Sequence, residues 1–316
     1  MDRSKEDVLA WEKRWALPAA LLTFLAIAAL IASAVALGPI DGEGSAEVLR
    51  STYEHESSQL LSGIFQGFGF ALLAVPLFYL FRADRARSNR VRNQLVGLVV
   101  IAPLFLGASV VLGGIAKNEG AKAFVNGEAK ATLSVKEANE ECADQRKEDG
   151  AKSFAEDFEP KAGETPLAAC RTEKIADDKA SNAVTEASLS GTVAGFGFAG
   201  AFGLIIALFY TSLWAMRTGL LGRFWGSLGM ALGVAILIGF IPLAMIWFLY
   251  LGLLFMGWLP GGRPPAWDAG EAMPWPTPGE KAAAELEPEG PGGDPELEIG
   301  DTQSDGSERR KRKQRD

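Results

Sequence analysis

Charged residues in this chain fall in the gaps between five long apolar runs. Residues 16–37, 59–81, 94–115, 188–216 and 224–258 contain no Asp, Glu, Lys, Arg or His. A helix needs about 20 apolar residues to cross a hydrocarbon core of ~30 Å, and each run reaches that length. The pattern predicts an all-α, polytopic membrane bundle. The last run, 35 residues long, would extend ~52 Å as one straight helix, well beyond the core. Gly239 and Pro242 lie near its middle, where a helix breaks or kinks. Two short spans, about 224–240 and 242–258, give six transmembrane helices; five with an external tail is the alternative.

Charge sets the orientation. Residues 82–93 carry five Arg against one Asp, whereas residues 38–58 carry Arg50 against five acids. Lys and Arg concentrate in short cytoplasmic loops. The chain therefore divides into a cytoplasmic N-terminus (1–15), transmembrane helices 1–3 (16–115), an extracytoplasmic helical insertion (116–187), helices 4–6 (188–258) and a disordered cytoplasmic tail (259–316). Both termini are expected in the cytoplasm, with the bundle in the cell membrane. Residues 16–37 read as a retained helix; a cleaved signal ending at Ala34-Val35-Ala36 is the other possibility. Arg82, Arg85, Arg87, Arg90 and Arg92 are expected to meet anionic lipid headgroups on the cytoplasmic face.

An internal repeat crosses this plan. Leu61-Ser62-Gly63-Ile64-Phe65-Gln66-Gly67-Phe68-Gly69-Phe70-Ala71 recurs as Leu189-Ser190-Gly191-Thr192-Val193-Ala194-Gly195-Phe196-Gly197-Phe198-Ala199, identical at eight of eleven positions. Each copy opens a span, and each span leads through an Arg-bearing connector into another. This predicts a parallel repeat of a helical hairpin, 59–115 and 188–240. Gly63 and Gly67, Gly191 and Gly195, and Gly226, Gly229 and Gly233 form small-residue faces of the kind that let helices approach closely in lipid. Gln66 stands where the second copy has Ala194, and could line a small pocket or bond a backbone carbonyl.

The insertion 116–187 holds 16 acids, 11 bases and few bulky apolar residues. Helical extensions of the third and fourth spans are expected over about 118–148 and 172–187. Its thin core is marginal alone. Cys142 and Cys170, the only cysteines, both lie there and are expected to form a disulfide on the oxidising side. The acids show no EF-hand spacing and read as a solvated face.

Candidate chemistry is sparse. One His, His55, and two Cys make a poor metal set, and no Gly-x-Ser-x-Gly elbow accompanies the His. No catalytic, cofactor-binding or metal-binding residue is assigned. No domain is basic enough for nucleic acid, despite the terminal cluster Arg309–Lys313. After Leu259 the chain is rich in Pro, Gly and acids.

Arg217-Thr218-Gly219-Leu220-Leu221-Gly222-Arg223, then Trp225-Gly226-Ser227-Leu228-Gly229, resembles an inner-loop-to-helix pattern of uncharacterised multi-pass membrane proteins from bacteria with high-GC genomes. The Pro-Pro-Ala-Trp and Pro-Trp-Pro stretches look like tails found there. The resemblance covers about 40 residues and implies no activity. The function expected is that of a non-enzymatic structural, interaction or regulatory protein with an unidentified protein partner. The alternative is a passive channel or carrier for a small neutral solute.

Overall fold

The computed structural model describes residues 4–37, 44–158, 163–235 and 241–276. Those up to Trp275 form one unit. Among the described residues the chain is helical, with no strand. Helix α1 runs Lys5–Leu37, α2 Ser45–Glu54, α3 Glu56–Leu72, α4 Ala74–Arg87 and α5 Val96–Val125. Then come α6 Val135–Asp149, α7 Ala151–Asp157, α8 Pro166–Thr185, α9 Ser190–Thr218, α10 Arg223–Ala235, α11 Ile241–Met256 and α12 Pro265–Ala269.

Four helical stretches are long and apolar enough to cross a membrane: α1, α3 with α4, α5 with the 3₁₀ turn before it, and α9. This is the composition of a helical membrane protein. α10 and α11 have 13 and 16 residues, or about 20 and 24 Å of rise. The turn expected near 241 falls on residues 236–240, outside the described set.

The break between α3 and α4 has a covalent cause. Pro76 has no N–H to give to the carbonyl of Leu72, and its ring crowds that carbonyl, so the α-helical ladder stops at Leu72 and restarts at Ala74. α3 packs between α1 and α5, α5 packs along α9, and α10 and α11 pack on α9 and α1. The joint core contains Leu77, Leu80, Phe81, Leu204, Leu208, Trp247 and Phe255, all nearly inaccessible.

Several polar side chains inside the bundle are used in bonding, whereas the Ser212 hydroxyl and the Asn118 amide have no hydrogen-bond partner among the described residues. Ser62 donates to the carbonyl of Ser33 (2.8 Å) and Ser109 to that of Val193 (2.9 Å), joining α3 to α1 and α5 to α9. Thr23 and Thr211 donate one turn back along their own helices, to Ala19 and Ala207.

The insertion is built differently from two simple helical extensions. α5 stops at Val125, and Gly127 turns the chain with φ +77°. α6 starts afresh with a reciprocal capping box between Ser134 and Glu137. α8 starts at Pro166 behind the Thr165 cap, as fits a residue with no N–H to donate. α2, α5 and α8 share a small core of Ala46, Leu49, Ala121, Ala180 and Ala183. A second core gathers Phe154 and Phe158 around Cys142 and Cys170, whose sulfurs lie at disulfide distance with Cα atoms 6.1 Å apart.

Candidate functional site at the N-terminal end of the bundle

The repeat gives no chemistry at membrane depth, so the densest polar arrangement lies elsewhere. It forms where the start of α1, the end of α4 and the chain after α11 meet. Tyr79, Ala83 and Arg87 are spaced by four on α4 and share one face. That face meets Glu12 of α1. The Tyr79 hydroxyl donates to the carbonyl of Glu12 at 3.0 Å.

Arg87 makes a forked ion pair with Glu12: Nη1 meets Oε1 at close range and Nη2 meets Oε2 at 3.0 Å. Nη1 also donates to the carbonyl of Ala83 at 3.1 Å. Nε and Nη2 both donate to the carbonyl of Ala266, at 3.0 and 2.8 Å. A guanidinium has five N–H donors, so every one has an acceptor. The side chains of Arg87 and Glu12 are 0% and 6% exposed. The expectation that Arg87 meets lipid headgroups is therefore corrected, because its charge and all its donors are consumed inside the protein. Arg85, Arg90 and Arg92 are exposed, and Arg82 is half-buried with its guanidinium 4.7 Å from the Trp11 ring centroid.

Residues 259–275 are held in place rather than forming the start of a disordered tail; residues 277–316 lie outside the described set. Arg263 folds back to donate through Nε to the carbonyl of Leu254 (3.0 Å) and through Nη2 to that of Phe255. These carbonyls lie in the last turn of α11, where that of Leu254 also accepts the Gly257 N–H at 3.0 Å, and a cation there suits the helix dipole. Trp267 stacks parallel to Tyr79 with centroids 5.9 Å apart, and Tyr79 stacks on Trp11 at 5.4 Å. The indole N–H of Trp267 donates to the carbonyl of Leu220 (3.0 Å), and that of Trp275 to Leu221 (2.9 Å). Met273 donates its backbone N–H to Thr218 at 3.0 Å, beside Gly219. Gly219 adopts φ +80°, and a Cβ there would come within 2.8 Å of the Met273 carbonyl carbon. Glycine thus serves both the turn after α9 and the close approach of the returning chain.

Asp84 completes the arrangement. It is 1% exposed, and its Oδ1 accepts from the Thr218 hydroxyl at 2.9 Å. Its Oδ2 has no hydrogen-bond partner among the described residues. The whole assembly is a clasp of ionic and aromatic groups. It joins α1, α4, α9 and the segment after α11, and its polar groups other than Asp84 Oδ2 bond within the protein.

The glycines differ in what they meet. A Cβ on Gly67 would sit 2.6 Å from the carbonyl oxygen of Gly107, and Gly63 faces Gly114 and Val110 at 3.8–3.9 Å. Gly226 faces Met216 at 2.8 Å, Gly229 faces Trp247 at 2.7 Å, and Gly233 faces the Ile205 carbonyl at 3.0 Å. Gly191 and Gly195 are different: nothing among the described residues lies within 4 Å of a Cβ on either, so here they pack no helix. α5 covers the Gly63 and Gly67 face of the first copy and meets the second copy through Gly197, where a Cβ would sit 2.9 Å from the Ser109 hydroxyl oxygen, while α10 packs on the later turns of α9, where Gly229 meets Ser212 and Gly233 meets Ile205. Gln66 is half-buried on α3.

The repeated segments Leu61–Ala71 and Leu189–Ala199 thus share sequence and, apart from Leu189, helical state, and both abut α5, but through different faces. Among the described residues no cluster of His, Cys, Asp and Glu could hold a metal ion. The chain matches no family model, no curated protein and no solved structure.

Proposed function

We propose that this chain is a non-enzymatic, multi-pass protein of the cell membrane that acts by holding partners. Both termini would lie in the cytoplasm, α10 and α11 would be a short spanning hairpin, and the insertion would face outward. The observation that carries this reading is the closure of the bundle. Gly67 and Gly107 meet backbone to backbone, and the cavity between α1, α3, α9 and α11 is about 20 Å³ and walled by apolar side chains such as Ile27, Leu30 and Phe248. That volume is near the minimum for one water, too small for a solute path. Tight packing of Trp11 and Glu12 on α4 supports a retained first helix.

The insertion suits recognition. It carries an excess of acids over a thin core and needs its crosslink to hold a surface. Reconstituted vesicles test the proposal. Urea and glycerol should cross them no faster than protein-free vesicles, and crosslinking in intact cells should trap partners on residues 116–187 more than on the lipid-facing helices. A protein-dependent rise in neutral-solute flux would replace the proposal with a passive channel.

A further inference from the structure

A trench runs down the outside of the bundle between α1, α4 and α5. It has a volume of about 410 Å³, with walls formed by Trp15, Pro18 and Leu22 on one side and Val75, Phe78 and Val100 on the other. Its depth follows from small residues: Ala19 and Ala74 are buried in its lining, where larger side chains would fill it. Tyr79 presents only its ring to the trench, because its hydroxyl is bound to Glu12.

Along α1 the trench extends from Trp11 to Leu22. Eleven residues of helical rise make about 16 Å, matching the ~15 Å depth of one leaflet of a bilayer core. Its chemistry is graded along that length. The deep end is apolar. At the other end Arg82 lies over Trp11, with Arg14 and Arg85 exposed one turn away along α1 and α4. Trp15, 47% exposed, follows one turn further along α1. Indoles collect at the headgroup level of membranes, and basic residues there attract anionic lipid.

We propose that the trench is a binding site for one anionic phospholipid of the leaflet on the α1-start side, with an acyl chain along Phe78, Val75 and Leu22 and the headgroup phosphate near Arg82. The inference rests on the membrane reading above. A second helix would be the other occupant to consider, but helix contacts in lipid favour small residues, and these walls present Trp, Phe and Leu. A free phosphate would gain nothing from the apolar length of the site.

The test uses the full chain, purified in mild detergent and stripped of lipid. Phosphatidylglycerol, phosphatidylcholine of the same acyl chains, and soluble glycerol phosphate are added separately. Bound lipid is counted by native mass spectrometry, and the melting temperature is recorded. Phosphatidylglycerol should be retained and should raise the melting temperature more than phosphatidylcholine, and glycerol phosphate should do neither. Val75→Trp, which fills the trench, should abolish retention of both lipids, and Leu104→Trp on the exposed face of α5 should not. Arg82→Gln should lower the preference for phosphatidylglycerol about fivefold, the weight of one cation at an anionic surface. If Val75→Trp fails to fold, Val100→Trp blocks the same trench from the other wall.

Equal retention of the two lipids, or unchanged retention in the filled variants, would overturn the proposal. So would a dimer that dissociates on filling while lipid content stays constant, which would give the trench to a second copy. None of these results bears on whether the vesicles conduct a neutral solute.

Discussion

Replacing Arg87 by Met removes one charge from a pair that is shut away from water. The guanidinium is 0% exposed and its Glu12 partner 6%, so solvent does little to screen the loss. The variant leaves a buried carboxylate unpaired and strips the Ala266 carbonyl of both its donors. Breaking a buried pair from one side typically costs about 3–5 kcal/mol. That corresponds to a fall of roughly 10² to 10⁴ in the ratio of folded to unfolded protein.

Removing both charges, with Glu12→Leu and Arg87→Met together, eliminates the stranded carboxylate and should recover a large part of the loss. The double variant should be more stable than the sum of the single effects implies by about 1–3 kcal/mol, as for groups in direct contact. Arg87→Lys should fall between wild type and Met, since three donors on a single nitrogen cannot reproduce the fork. The assay is equilibrium unfolding in mixed micelles, paired with limited proteolysis of residues 259–275, which should be cut faster in Arg87→Met. Stability of Arg87→Met within 1 kcal/mol of wild type, or strict additivity in the double variant, would refute the buried-clasp argument.

The glycine faces should behave unequally. Gly67→Leu drives a side chain into the Gly107 backbone and should cost more than the ~1–3 kcal/mol of ordinary overpacking, while Gly195→Leu should leave detergent stability unchanged; unfolding midpoints decide it. Without reductant neither Cys142 nor Cys170 should be alkylated. The Cys142→Ala, Cys170→Ala variant should lose about 3–4 kcal/mol of insertion stability by the chain-entropy account of a loop of this length, measured as protease resistance of residues 135–170. The Asp178 carboxylate accepts the backbone N–H groups of Leu133 and Thr132, the Thr132 hydroxyl and the Asn182 amide, with the Leu133 bond the largest influence holding its pKa below the usual range. A depressed folded pKa means that its stabilisation is complete above the unfolded value near 4 and lost as pH falls through the folded one. Exchange protection of the Thr132 and Leu133 amides should therefore persist at pH 5 and decline below about pH 4.

The apolar runs marked the membrane-length helices because hydrophobic length is a direct physical requirement of crossing a bilayer, and the sole cysteine pair in one insertion marked the crosslink. The clasp was hidden by its composition. Glu12 stands beside Lys13 and Arg14, and Arg87 stands among four other arginines, so sequence alone shows two charged patches that suit a lipid surface. The four-residue spacing of Tyr79, Ala83 and Arg87 was the available signal of a single helix face. Trp267 and Trp275 were another, since indoles in a Pro-rich stretch supply rigid apolar area with one donor each to place. The open face at Gly191 and Gly195 could not be read from the repeat, because identical local sequence does not specify which face of each copy a neighbour covers.

The clasp also dictates an order of synthesis. Arg87 is built 75 residues after Glu12, and the Ala266 carbonyl that completes its coordination follows 179 residues after Arg87. At elongation rates of about 5–20 residues per second, the first helices wait roughly ten to forty seconds for the segment that locks them. During that interval the guanidinium has donors to spare, and the Trp11 and Tyr79 rings lack the indole that will stack on Tyr79. The nascent bundle therefore carries an unfinished polar face, and only chains that already include Ala266 can close it. A chain released early would keep that face open, giving cellular quality control a chemical difference between finished and unfinished molecules.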